Sequence, residues 1–316
     1  MATPSSCHQL LLPVTLLVVI LATAAAQSFP YEEPQLMARP GCVDRCGNMS
    51  IPFPFGIGSG CFRDGFEISC DRSFDPPRVF LAGKGTTEER GFVNDTDIPA
   101  YRRFSRLELA SISLLWRQAR VYAPISYFYG TRTAGDTTTT TGLLLLTKQF
   151  FHLASTPFAV STKNGIIGVG WSTQPTVSYD PEQPAFFSCQ TTWATQKDPP
   201  YDTTNGLCVR ELPYALGPTQ YIELAVLYQG LQSAYALLVE SYNPMYNFYM
   251  TDMYSNQTLL RKFPRGVAIK LDFAAGNTSC PAEGQPLPPD YACVSANSSC
   301  VSATRTPGYL CECSEG

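Results

Sequence analysis

Between Tyr101 and Arg120 the chain carries Arg102, Arg103, Arg106, Arg117 and Arg120, with Glu108 as the one acidic residue among them. The chemistry open to such a group is recognition of carboxylates. A guanidinium is planar, always charged and pairs bidentately with a carboxylate, while the rings of Tyr101 and Trp116 offer faces on which sugar C–H groups can stack. If Arg106 and Arg120 sit on neighbouring antiparallel strands, these side chains line up as a basic strip. The competing reading of the same arginines is that they are solvated or locally paired. A second set, Arg45, Arg63 and Arg72, is weaker, because Asp44, Asp64 and Asp71 stand beside them. The formal net charge is -4, so any attraction of a polyanion has to come from a local patch.

Catalysis finds little to work with. His152 is the single histidine after an N-terminal leader is removed, and it follows Phe150-Phe151 in an apolar run. It reads as a packed or edge histidine rather than the base of a Ser-His-Asp or Cys-His arrangement. No metal-spaced His/Cys cluster, phosphate-cradling glycine loop, nucleotide fingerprint or kinase motif occurs. No catalytic residue, metal or cofactor is expected, and no nucleic-acid partner. A glycosidase needs two carboxylates at a suitable distance, but nothing singles out a pair among the 26 acidic residues.

The elements that must position the arginines read as strands. Arg106 to Trp116 alternates with a period of two and is read as one strand, with Arg117 to Ala123 returning across a tight turn. Arg78 to Leu81, Tyr221 to Tyr228 and Gly266 to Phe273 are further strands. Leu143 to Leu146 and Gln149 to Phe151 are short apolar ones. Ala234 to Glu240 is ambiguous between strand and short helix, and Gly83 to Gly91 reads as a polar hairpin loop. No long helix, heptad or internal repeat is evident. The expected class is mostly β, disulfide-linked and glycosylated.

Residues 1–26 contain no Lys, Arg, Asp or Glu, run apolar from Leu10 to Ala22 and end in Ala24-Ala25-Ala26. This is a secretory leader with a small-residue cleavage site, too short for the roughly 20 apolar residues of a membrane span. Secretion predicts glycan acceptors and paired cysteines. The acceptors are Asn48, Asn94, Asn256, Asn277 and Asn297, each followed at the second position by Ser or Thr. The cysteines are Cys42, Cys46, Cys61, Cys70, Cys189, Cys208, Cys280, Cys293, Cys300, Cys311 and Cys313. Cys189 and Cys208 bracket a polar loop that a disulfide would close, for about 3 kcal/mol by chain entropy. The first four allow three pairings, among which the sequence does not choose.

Those first four lie in the densest stretch, CVDRCGNMSIPFPFGIGSGCFRDGFEISC from Cys42 to Cys70. Its two prolines bar Ile51 to Phe55 from a central strand, and Gly56, Gly58 and Gly60 provide the turn into Cys61. Phe53, Phe55, Phe62 and Phe66 suit a sugar platform or a core, with core preferred. Cys-x3-Cys-Gly-Asn, Ile-Pro-Phe-Pro-Phe-Gly-Ile and Gly-Phe-Glu-x2-Cys, in this order, resemble the start of the galacturonan-binding extracellular region of plant wall-associated receptor kinases. Ala123-Pro-Ile-Ser-Tyr127 continues the resemblance. The chain departs from it at Phe128, Tyr129 and Trp171, where the resemblance implies cysteines. Cys280, Cys293, Cys300, Cys311 and Cys313, with Cys-x-Cys before Ser-Glu-Gly, resemble an EGF-like module lacking its sixth cysteine. Gly276 to Ser279 lacks the acidic cluster of its calcium-binding subtype.

The expected organisation is a leader at 1–26, a flexible segment at 27–41, a cysteine-rich galacturonan-binding-like domain at 42–131, a second β-rich domain at 132–275 and a truncated EGF-like module at 276–316. The resemblance implies a non-catalytic, secreted ectodomain facing the cell wall that binds pectin. It implies plasma-membrane attachment only through a parent chain extending beyond Gly316. The alternative is an ectodomain for extracellular peptides or co-receptors, with no carbohydrate ligand.

Overall fold

The computed structural model describes residues 38–82, 85–93, 99–130, 144–170, 173–179, 187–191, 206–213, 221–228, 234–240, 258–276, 278–282, 284–287, 291–293 and 298–313. The expected leader, the threonine-rich loop at 137–141, Trp171 and the acceptors Asn94, Asn256, Asn277 and Asn297 lie outside these residues. Met37–Gly316 clusters as one unit.

In chain order the strands begin with β1 (Arg45–Cys46), β2 (Met49–Ser50), β3 (Ile68–Asp71), β4 (Arg78–Leu81), β5 (Thr86–Val93), β6 (Pro99–Arg106), β7 (Glu108–Ser113), β8 (Gln118–Ala123), β9 (Ser126–Gly130) and β10 (Leu144–His152). They continue with β11 (Phe158–Val160), β12 (Asn164–Val169), β13 (Thr173–Ser178), β14 (Phe187–Ser188), β15 (Leu207–Glu211), β16 (Tyr221–Tyr228) and β17 (Ala234–Glu240). A short helix, α1 (Thr258–Lys262), precedes β18 (Val267–Phe273), and β19 (Ser298–Ser302) with β20 (Tyr309–Cys313) closes the chain. The mostly β class stands.

The strands form two large sheets. A six-stranded sheet runs β11-β18-β8-β7-β4-β3, and a ten-stranded one runs β14-β13-β16-β10-β9-β17-β12-β15, with the β5–β6 hairpin attached to β10. All the described pairings between strands are antiparallel. Strands from both sides of the 131/132 boundary share each large sheet, whereas β19 and β20 pair with each other.

The core explains the ordering. In β17, Ala234, Ala236 and Leu238 join one apolar cluster while Tyr235, Leu237 and Val239 join another, so this strand is covered on both faces. That dual burial resolves the ambiguity at Ala234 to Glu240, since an uninterrupted apolar run suits a strand covered on both sides. Phe55 and Phe66 are core: their rings meet edge to face with centroids 5.1 Å apart, and Phe55 meets Phe273 likewise at 5.4 Å. Phe53 and Phe62 are half-buried, and Arg39 lies 4.4 Å over the Phe53 ring.

The opening module is stapled by Cys42–Cys61 and Cys46–Cys70. At Gly56 a Cβ would lie 2.2 Å from the Cys61 carbonyl oxygen, so only glycine permits that approach. Cys189 pairs with Cys208, Cys280 with Cys300 and Cys293 with Cys311. Cys313 ends β20, and its side chain lies outside what is described. Asn48 is exposed between β1 and β2.

Two sequence readings are corrected here. Of the expected loop at Gly83 to Gly91, residues 86–91 belong instead to strand β5, whose Glu88 and Glu89 meet Arg102 and Arg103 of β6. Arg106 to Trp116 is not one strand. β6 ends at Arg106 in the ten-stranded sheet, Leu107 turns inward at 1 % exposure, and β7 starts in the six-stranded sheet. A chain that switches sheets at a buried corner carries its alternation through the bend.

Candidate functional site

That corner decides the fate of the arginines. Arg106 and Arg120 are not on neighbouring strands: β6 pairs with β5, whereas Arg120 on β8 faces Ser111 of β7 and Lys270 of β18. The continuous strip does not form.

Arg102 and Arg120 are held by buried carboxylates. Glu88, 1 % exposed, accepts from Arg102, from Arg90 Nε at 2.5 Å and lies 3.2 Å from His152 Nε2. Burial alone would raise the Glu88 pKa, but the hydrogen bonds from Arg90 and Arg102 outweigh it and bring it down to about 2. His152 is therefore a half-buried residue beside an ion-pair cluster, on a strand paired on both sides to Tyr221 and Thr86. Arg120 grips Glu240, with Nε 2.9 Å from Oε2 and a second bond from Nη2 to Oε1, and Lys270 adds a contact at 3.9 Å. Tyr101 lies across the ladder from Gly91, donates to Glu89 at 3.2 Å, and its hydroxyl pKa is raised by burial and by Tyr127.

Arg103 and Arg106 instead line a cleft of about 470 Å³ beside the sheet-switching corner. Arg78 and Arg265, from β4 and the turn before β18, join them there, against Glu89 and Glu108. The lining charge is positive. Glu108 is 8 % exposed, accepts from Arg265 and lies 3.7 Å from Arg78. Arg103 is 3.4 Å from Glu89, and Arg106 donates to Ser69 Oγ at 2.8 Å with Asp71 at 3.8 Å.

Each of these guanidiniums rests on a ring: Arg78 is 4.0 Å from the Phe74 centroid, Arg265 4.1 Å from Tyr122, Arg106 4.9 Å from Phe80 and Arg103 5.8 Å from Tyr101. Stacking fixes the guanidinium plane and directs its N–H edges at in-plane partners. Gln149, fully buried at the cleft, donates to the Ile125 carbonyl at 3.3 Å, and its Oε1 has no hydrogen-bond partner among the described residues.

Residues 42–87 match the family described as wall-associated receptor kinase galacturonan-binding. Wall-associated receptor kinase 1 of Arabidopsis thaliana is 25 % identical over 87 % of this chain and 32 % of its own length. Wall-associated receptor kinase 5 is 23 % identical over 88 % of this chain and 33 % of its own, and wall-associated receptor kinase-like 10 is 28 % identical over 70 % and 23 %. The chain resembles a wall-associated receptor kinase extracellular region. It spans about a third or less of these relatives' lengths, and their kinase domain is not in it. No solved structure matches.

Phe74, Arg78, Phe80 and Thr87 of the cleft come from the family-matched segment. Trp116 and Arg117 lie elsewhere, in a pocket of about 350 Å³ shared with Lys163, Asp272 and Arg305. Lys163 Nζ is 5.4 Å from the Trp116 centroid. The second arginine set stays apart from both pockets, Arg63 donating to the Tyr309 hydroxyl at 3.1 Å.

Sequence reasoning missed Arg78, Arg265, Phe74 and Phe80. Arg265 reaches Glu108 across 157 positions, and nothing local announces it. Glu88-Glu89 was findable, as a pair complementary to Arg102-Arg103 across a hairpin. Among the described residues no helix is long and apolar enough to cross a membrane, and no cluster of three His, Cys, Asp or Glu could hold a metal.

Proposed function

We propose that the chain is the extracellular, polysaccharide-binding region of a wall-associated receptor-like protein, and that its ligand is unesterified galacturonan of pectin. The observation that carries this reading is the cleft. Four guanidiniums, each stacked on an aromatic ring, face two carboxylates in a cleft built partly from the family-matched segment. A galacturonan chain presents a carboxylate on each unesterified sugar, which suits in-plane N–H groups, and its C–H faces suit Phe74 and Phe80. The contact residues of this reading are Arg78, Arg103, Arg106 and Arg265. Arg102, Arg120 and Tyr101 belong to the scaffold.

The same reading includes a secretory leader at 1–26, glycans at the exposed Asn48 and the other acceptors, and an EGF-like module at 276–316. Attachment to the plasma membrane comes through a longer parent chain. Titration calorimetry of the glycosylated, oxidised protein with oligogalacturonides tests it. Unesterified oligomers should bind, with affinity falling as salt rises, and methyl-esterified ones should not. The Arg103→Ala, Arg106→Ala double variant should bind at least tenfold more weakly, since a charge-assisted hydrogen bond is worth about 1.5–3 kcal/mol. Equal binding of both ester forms by a folded sample would sink the reading.

A further inference from the structure

We propose that the pocket holding Trp116 and Arg117 is a second subsite for a sugar carboxylate, and that its occupancy clamps the C-terminal hairpin to the sheets. This rests on the reading of the chain as a uronate binder, but it concerns different residues and a different consequence.

The pocket is a seam. One wall comes from the β7–β8 turn with Lys163 and Asp272, and the other from Thr304, Arg305 and Thr306 in the β19–β20 turn. Cations therefore stand on both walls: Arg117 and Lys163 on the sheet side, Arg305 on the hairpin side. Among the described residues Asp272 is the one carboxylate lining it, and its Oδ1 accepts from Gln118 Nε2 at 2.7 Å. An anion seated between the walls is attracted by cations on both of them. A ligand that touches both walls stabilises the docked hairpin by its differential affinity for that state.

The ligand class follows from the floor. Trp116 is 65 % exposed and Leu115 56 %, an unusual display of apolar surface beside three cations. Arg117 has φ 52°, in the left-handed region, which non-glycine residues seldom adopt. The turn so formed places ring and guanidinium on the same pocket. A ring with a C–H face and a carboxylate fits this pairing, and about 350 Å³ is near the lower bound for small-molecule sites. Away from the pocket the hairpin is tied through Tyr309, whose carbonyl accepts from Ala275 N at 2.8 Å and whose hydroxyl accepts from Arg63 at 3.1 Å and Ala292 N at 2.8 Å.

The test uses the full oxidised protein with digalacturonic acid, neutral digalactose and a tetra-aspartate peptide, read by tryptophan fluorescence and by hydrogen exchange over 298–313. Trp116→Phe assigns the emission. Digalacturonic acid should shift the Trp116 signal and slow exchange in the hairpin. Arg117→Asn, which tolerates the left-handed backbone, and the surface change Lys163→Ala should each weaken that response about tenfold. The Arg103→Ala, Arg106→Ala variant should keep it. Loss of the response in the cleft variant, or binding without protection of 298–313, would overturn the second subsite while leaving the cleft reading intact. No binding of digalacturonic acid anywhere would overturn both. A response to digalactose or to tetra-aspartate in place of the sugar acid would overturn the assignment, the latter making the seam a site for acidic peptides.

Discussion

Arg102, with more than half of its side chain exposed, closes over Glu88, whose carboxylate is 1 % exposed on the adjacent strand. An arginine that looks available for a ligand is thereby the lid on a buried anion. Because Arg90 and His152 meet the same carboxylate, the cluster is part of the β5–β6–β10 ladder.

Acid should loosen this ladder. Glu88 has its folded pKa lowered to about 2 from 4.5, so its contribution is fully present above about pH 4.5 and disappears as pH falls toward 2. With allowance for solvent screening this amounts to about 2 kcal/mol. Urea unfolding of wild type and Glu88→Gln between pH 2 and 7 checks it. The variant should be less stable at neutral pH, and the difference should shrink on acidification.

Arg120→Ala should separate scaffold from site. It takes from the Glu240 carboxylate, 5 % exposed, the guanidinium that binds both of its oxygens, and breaking a buried pair in this way costs about 3–5 kcal/mol. Chemical denaturation should show that loss, while calorimetry of the still-folded variant should show unchanged oligogalacturonide affinity.

Gly91→Ala should destabilise the hairpin. A Cβ there would sit 2.1 Å from the Tyr101 ring, and overpacking typically costs about 1–3 kcal/mol. Thermal melts of the single variants and of Gly91→Ala with Tyr101→Ala should reveal coupling, the double variant losing less than the sum.

Phe55→Ala and Phe53→Ala should differ in kind. Phe55 is fully buried against Phe66 and Phe273, and its truncation should cost about 3–5 kcal/mol. Phe53 is half-buried beneath Arg39, and its loss should cost about 1 kcal/mol or less. Melting temperatures of the two variants check the contrast.

Local pattern was enough for much of this protein. The exclusion of Ile51 to Phe55 from a ladder follows from proline's missing donor, and β4, β8, β16 and β18 follow from alternation or apolar runs. The opening motif announced the family segment that the comparison with known proteins then matched. All of these are properties of a residue and its near neighbours, which a sequence carries openly.

What tertiary structure alone decided is where charges meet. Glu88, Asp71 and Glu240 are distant in sequence from some or all of the arginines they hold, and the switch of sheets at Leu107 sends Arg106 to one cleft and Arg120 to an ion pair. Cysteine pairing in the opening module was undecidable for the same reason, because the candidates are close in sequence and only the fold orders them in space. A strand's periodicity reports which face is buried, but not which strand lies beside it. The counter-charge of each arginine depends on that neighbour, and so does its freedom to bind a ligand.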